Sequence, residues 1–397
     1  METISAMDVE EPQPSPSPNN VKHFGLKNSI QTNFGDDYVF QIIPKDDWSA
    51  MAVSLSTNAV KLYSPLVGQY YGECKGHSQT INQILFSGPS NPHVLSSCSS
   101  DGTIRAWDTR TFQQVSILNA GPSQEVFSFS TGGPNGSLVA AGCDSQVLLW
   151  DWRNNKQIAC LEDSHMDDVT QVHFVPDEPG KLISASVDGL ICIFDTSGDI
   201  NDDDHLDSVI NVGTSIAKVG FFGESYQKLW CLTHIETASI WDWKDGRNEV
   251  NFSEARTLAS ESWNLDHVDY FVDCHYSKEA EKLWLIGGTN AGTLGYFPVN
   301  YSGTATIGAA EAILEGGHTS VVRSVLPMTR IHSELGGSSS SSSQSHSSGI
   351  FGWTGGEDGR LCCWLSDDSP QKNQSWISST LVMKPERTCK KNRHQPY

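Results

Sequence analysis

Basic residues are scarce in this chain. Lys and Arg number 26 against 47 Asp and Glu, which leaves a formal charge of −21 over 397 residues. A field of that sign repels nucleic acid and anionic lipid and draws basic partners. The ten cysteines include no C-x-x-C pair, which excludes a zinc ribbon or a thioredoxin-like motif. Most of them sit inside apolar, strand-like runs, so buried free thiols in a reducing compartment are expected. No apolar run approaches bilayer length, and the first twenty residues lack a basic region followed by an apolar core. The chain is therefore expected to be soluble and intracellular, without direct contact to membrane or nucleic acid. P-loop, H-E-x-x-H, nucleophile-elbow and dinucleotide fingerprints are all missing, and no cofactor is expected.

What is plentiful is glycine (34), proline (17) and tryptophan (12), a mix suited to many short strands joined by tight turns. Self-similarity then decides the fold. His93 to Asp108 reads HVLSSCSSDGTIRAWD, and the pattern returns at Ser137 to Asp151, Lys181 to Asp195 and Phe351 to Trp364. Weaker copies run from Met51 to Ser64, Lys228 to Asp242 and Lys282 to Phe297. Each copy reads as strand, tight turn, strand. Asp101-Gly102, Asp188-Gly189 and Asp358-Gly359 tolerate the positive φ that two-residue hairpins need. The second strand of each copy ends on an aromatic: Tyr63, Trp107, Trp150, Phe194, Trp241, Phe297 and Trp364. The early spacings match the ~40–45 residues of a propeller blade.

Between about residues 37 and 366 this pattern resembles WD40 repeats. The resemblance implies an all-β fold, a single seven-bladed WD40 β-propeller whose ring is closed by a terminal strand. Gly76-His77 and Gly317-His318 match the Gly-His pair of the family, with Ser164-His165 as a variant. By matching position, the family's structural tetrad falls on His77, Ser97, Asp101 and Trp107 in blade 2, and on His318, Thr354, Asp358 and Trp364 in blade 7. Blade 4 keeps His165, Ser184 and Asp188 but has Phe194 in place of Trp. Blade 3 keeps Asp144 and Trp150 without an obvious His. Blades 1, 5 and 6 carry Thr57, Ile235 and Ala291 where the Asp would sit. A carboxylate near the interior needs donors, and His and Ser supply them. An Asp/His/Ser set invites a hydrolase reading, but it repeats from blade to blade, its Asp lies in a hairpin turn, and no elbow accompanies it.

Residues 1–20 are acidic and rich in Pro and Ser, which argues for disorder. The propeller is expected over residues 21–383, with either Val21 to Lys27 or Trp376 to Met383 as the locking strand. Asn248 to Asp266 is a long polar stretch ending near Trp263. Residues 336–349, GGSSSSSSQSHSSG, read as a flexible insertion within blade 7, and residues 384–397 form a short basic tail compatible with nuclear targeting.

From Glu162 to Asp207 thirteen acids stand against one lysine, which marks blade 4 and the connection after it either as a solvated acidic loop or as a docking site for a basic segment, with Asp167, Asp168, Asp202, Asp203, Asp204 and Asp207 as the candidate residues. The Asp199 to Asp207 loop lacks the glycine and distal Glu of an EF-hand loop, so no metal is expected. Blades 2 and 3 each end in W-D-x-R. These segments resemble the box by which WD40 substrate receptors dock on the propeller adaptor of cullin-RING ubiquitin ligases. The resemblance implies docking through Asp101, Trp107, Asp108 and Arg110, and through Asp144, Trp150, Asp151 and Arg153. HMDDVTQVHFVP, SASVDGLICIFD, WLIGGTNAGTL and GGEDG, with the basic C-terminus, resemble the group of WD repeat-containing protein 89. The expectation is a non-catalytic scaffold, a monomeric propeller within a complex in nucleus or cytoplasm, recruiting basic proteins in ribosome or chromatin assembly. A ligase receptor is the alternative, and a propeller hydrolase with charged residues converging in the central funnel is a remote one.

Overall fold

Alternating polarity and paired turn residues give every repeat the same local outcome, an antiparallel meander of four strands. A computed structural model describes residues 21–33, 37–162, 164–198, 205–261, 263, 267–327 and 350–365. Within them lie 29 strands and one short helix. Five sheets hold four strands each, and the last two blades are joined into one nine-stranded sheet by the N-terminal strand. The seven innermost strands are Val39–Pro44, Ile81–Phe86, Ser128–Gly132, Val169–Val175, Ile216–Phe222, Tyr270–Ser277 and Val322–Pro327. They touch one another in cyclic order, the last against the first, so the blades form a closed ring.

Each innermost strand is a sheet edge, and its free N–H groups need acceptors. The neighbouring blade provides them. Gln41 Oε1 accepts from the Ile84 amide at 2.8 Å, Gln83 Oε1 from Phe129 at 2.7 Å, and Ser128 Oγ from Val172 at 3.0 Å. The Tyr270 hydroxyl accepts from Val322 at 2.7 Å, and Ser324 Oγ from Ile42 at 3.0 Å across the closure. The ring is thus stitched by side chains at the hub, while apolar clusters fill the spaces between blades.

The strand Lys22–Gln31 closes the ring. Gly25 to Gln31 pair antiparallel with Arg360–Leu365 and form the outer strand of blade 7, while Lys22 to Phe24 pair in parallel with Ala312–Leu314 of blade 6. In blades 1 to 5 the outer strand bulges just before the third-strand aromatic, for instance between Ala106 and Trp107. The closing strand reproduces that bulge between Leu26 and Asn28, opposite Trp364. The locking strand runs four residues beyond the Val21 to Lys27 read from sequence, and the other candidate, Trp376 to Met383, lies outside the described residues.

Asn248 to Asp266 proves partly ordered rather than a plain polar loop. Arg247–Phe252 is the outer strand of blade 5, and Ala255–Glu261 is a helix that buries Ala255 and Ala259 beside Trp263 in the core between blades 5 and 6. The N-terminal residues 1–20, the Ser-rich insertion 336–349 and the basic tail 384–397 lie outside the described residues.

Candidate interaction surfaces

The face of the ring that carries the turns between second and third strands is here called the upper face. Its turn carboxylates organise the blades. In blade 2 the Trp107 indole donates to Ser97 Oγ at 2.9 Å, Ser97 meets His77 Nε2 at 2.7 Å, and His77 Nδ1 meets Asp101 at 2.9 Å. Blade 7 repeats the chain through Trp364, Thr354, His318 and Asp358 at 2.7, 2.8 and 3.0 Å. In blade 4 it runs from Ser184 through His165 to Asp188 at 2.6 and 3.1 Å, and stops at Phe194, which has no donor. In blade 2 a neutral imidazole closes the series, indole N–H to hydroxyl, hydroxyl O–H to Nε2, Nδ1–H to carboxylate, and blade 4 repeats its last two links. In blade 7 burial alone would lower His318, but its hydrogen bond with Asp358 outweighs burial and raises the group to about 9. Burial depresses the proton affinity of His77 and His165 and outweighs the pull of their carboxylates.

Burial alone would raise the Asp101 carboxyl. Donors from Thr103, the Ser78 amide and His77 outweigh it and hold the group at about 2. Asp188 and Asp358 are lowered in the same sense. The hydroxyls of this set are fully buried, and each is shared with a Trp or a His. These groups are consumed in holding the innermost strand to its own blade.

The two W-D-x-R segments lie on the opposite, lower face. There each Arg folds back on its own Asp. Arg110 makes a two-pronged contact to Asp108 at 3.0 and 2.7 Å, and Arg153 to Asp151 at 2.9 and 2.8 Å. The Arg side chains are 65% and 60% exposed, so both forks remain within reach of a partner that displaces the Asp. The carboxylates also accept the backbone N–H two residues on, at 2.9 and 3.0 Å. Asp195 and Asp242 do the same in blades 4 and 5, where Ser197 and Lys244 stand in place of Arg. The Asp is therefore a recurrent turn device, and the Arg is what distinguishes blades 2 and 3. Trp107 and Trp150 are buried, and Asp101 and Asp144 belong to the upper face, so each set of box residues, from turn Asp to Arg, spans the whole height of its blade.

The acidic run of blade 4 does not form one patch. Asp167 and Asp168 precede the innermost strand on the upper face. Burial, then Asp167, Asp144 and Glu125, raise the Asp168 carboxyl, which records four acids gathered above blades 3 and 4. Met166, next to Asp167 in the chain, is 92% exposed. Asp207 lies at the other end of the blade, where Lys181 bridges it at 2.8 Å and Asp195 at 3.1 Å. Asp202, Asp203 and Asp204 lie outside the described residues. Sequence reading missed Glu125 as a member of the upper cluster, because it sits in the preceding inter-blade connection, between blades 2 and 3, well before the acidic run. It also missed Glu236, whose carboxylate accepts the Phe271 amide of blade 6 at 2.7 Å. Among the described residues no group of three or more His, Cys, Asp or Glu is placed to hold a metal ion, and the described cysteines are free thiols.

The family model for the WD domain, G-beta repeat, matches residues 68–108, 112–151 and 155–195. The WD repeat-containing protein GTS1 of Arabidopsis thaliana is 67% identical over the full length of both chains. The WD repeat-containing protein 89 homolog of Dictyostelium discoideum is 34% identical over 76% of this chain and 81% of its own. An uncharacterised WD repeat-containing protein of Saccharomyces cerevisiae is 29% identical over 55% of this chain and 57% of its own. Proteins of this kind generally act as non-enzymatic scaffolds for protein interactions. Ring, repeats and relatives agree: the chain belongs to the WD40-repeat family, in the group of WD repeat-containing protein 89.

Proposed function

We propose that this propeller is a protein-recruiting scaffold whose upper face captures basic segments of its partners, in the nucleus or cytosol and in an assembly process such as that of ribosomes or chromatin. The observation that carries this reading is the gathering of Glu125, Asp144 and Asp167 near Asp168, with the exposed Met166 next to Asp167 in the chain. Like charges gathered at a cost to the ionisation of Asp168 suit a cationic partner, and the bare thioether supplies an adaptable apolar anchor. The test uses a fluorescent histone-tail peptide, with Asp167→Asn and Asp168→Asn combined. Binding should weaken several-fold, and the loss should be larger at low salt. Binding indifferent both to salt and to these substitutions would end the reading.

A second reading rests on the paired Arg clasps of blades 2 and 3, on which a cullin-RING ligase adaptor would dock. Arg110→Ala with Arg153→Ala should then abolish co-purification of the adaptor propeller. Unchanged co-purification removes that version and leaves the upper-face reading intact.

A further inference from the structure

The apolar cluster between blades 2 and 3 leaves part of its space open. The residue before the third-strand aromatic points into the gap toward the next blade. It is Leu62, Leu149, Ile193, Ile240 and Tyr296 in blades 1, 3, 4, 5 and 6, and Cys363, beside Trp353, in blade 7. In blade 2 it is Ala106, flanked by Ser96 on the second strand and Ser116 on the outer strand. Three small residues thus occupy a layer that carries at least one large apolar side chain everywhere else. The result is a cavity of about 540 Å³ between blades 2 and 3, opening on the lower face. That volume falls within the 300–1,000 Å³ of ligand pockets. Protein interiors rarely tolerate voids larger than a water molecule, so the small layer needs a reason.

The walls are apolar, chiefly Ile104, Leu118, Phe129 and Val139, and the lining contains no carboxylate. Its one charged residue, Arg105, has its guanidinium engaged elsewhere, by Thr103 at 3.1 Å and Gln114 at 3.0 Å. In a molecule of charge −21 this is an uncharged enclave. Two large side chains at its rim, Val115 at 58% and Trp152 at 42%, remain exposed and continue the apolar surface outward. Trp152 is held by its indole on the Gly136 carbonyl at 3.1 Å, and Asn155, bonded to Ser116 Oγ at 3.0 Å, sets polar groups at the mouth.

We infer that this cavity is a docking site for an extended protein segment that inserts two neighbouring bulky, uncharged side chains, one of them aromatic. A free small ligand would need only the cavity. The exposed Trp and Val outside it fit an occupant that continues over the rim, and buried apolar anchors ringed by Trp are how protein interfaces concentrate their affinity. The choice of a protein segment rests on the scaffold reading, but the site is separate from the acidic upper face and selects the opposite chemistry.

The experiment uses the full chain and the uncharged dye Nile red. The wild type should bind one dye per chain with blue-shifted emission. Combining Ser96→Ile with Ala106→Leu installs side chains found at the same register in blades 4 and 3. It should reduce dye affinity at least tenfold while the thermal midpoint stays or rises. Should that variant fold poorly, Val115→Glu, at an exposed rim position, should weaken the dye by a similar factor. A capped Phe–Leu dipeptide should displace the dye, and a capped Lys–Lys dipeptide should not. No dye binding by the wild type, or binding unaffected by the filling and rim substitutions, overturns the site. Dye held in the cavity but not displaced by the apolar dipeptide overturns the protein occupant. Neither result touches the histone-tail experiment on the upper face, so the two failures are distinguishable.

Discussion

Blade 2 and blade 5 share a backbone and are held together by opposite means. Blade 2 runs a polar chain from Trp107 through Ser97 and His77 to Asp101. Blade 5 has Cys231 at the register of Ser97 and Ile235 near its turn, so no such chain can form. It fills its outward layer instead with Trp230, Ile240 and Val250, and its two other indoles bond locally, Trp241 to Ser239 at 2.8 Å and Trp243 to the Tyr226 carbonyl at 2.8 Å. A hydrogen-bonded chain orients strands but adds little volume. Apolar filling adds volume but fixes orientation less sharply. Blade 2 has the first without the second, and the cavity beside it follows.

The largest loss is expected in blade 5. Trp230→Ala should cost about 3–5 kcal/mol in urea unfolding, because the surrounding Phe222, Ile240 and Val250 cannot collapse into the space. A loss below 1 kcal/mol would show that the aromatic layer is not what supports this blade. In blade 2, Ser97→Ala should cost about 1–3 kcal/mol by leaving the Trp107 indole and His77 Nε2 without partners. The same change at the register of blade 5, Cys231→Ala, should lack that polar component, and equal losses at both positions would erase the distinction.

The contrast also has a pH signature. Asp101 is held at about 2, below the ordinary carboxylate value of 3.8. Its contribution to stability is therefore full above about pH 4 and is lost as the pH falls toward 2. Asp101→Asn should flatten the acid limb of the stability profile measured between pH 2 and 5, while a wild-type profile already flat there would contradict the polar-chain account. Filling blade 2 toward the blade 5 solution is expected to have a smaller effect. Ala106→Leu should raise stability by about 0.5–2 kcal/mol. A drop of similar size would mean that the walls, not the void, set the packing. Removing Arg110 and Arg153 should leave the unfolding midpoint unchanged, since both Arg side chains are exposed on the lower face.

Much of this was legible in the residues. Asp-Gly turns and strand-ending aromatics locate the third strands in all seven blades, including those without the turn Asp, because the hairpin geometry survives when Gly292 or Asn58 takes the positive φ. The His, Ser and Asp positions of blades 2, 4 and 7 could be named because their spacing follows the strand register. Three features were out of reach. The helix Ala255–Glu261 has no acid in its first turn and no base in its last, so nothing announces its ends. The Arg-to-Asp clasps depend on side-chain torsions that a W-D-x-R string does not encode. The acidic run was divided by the ring itself, since residues close in sequence leave a blade at opposite faces. The cavity was legible in principle, once the residue before each aromatic was compared across blades.

The closing strand has a consequence for synthesis. The Gln31 side chain reaches the carbonyl of Asp358, 327 residues later. At roughly 5–20 residues per second, the closing strand waits on the order of 15–65 s for its partner in blade 7. Throughout that interval Lys22–Gln31 is an unpaired strand in search of an edge, next to blades whose own outer edges are already formed. Whatever shields it during translation, a chaperone or the charge of the nascent chain, guards the step on which closure of the ring depends.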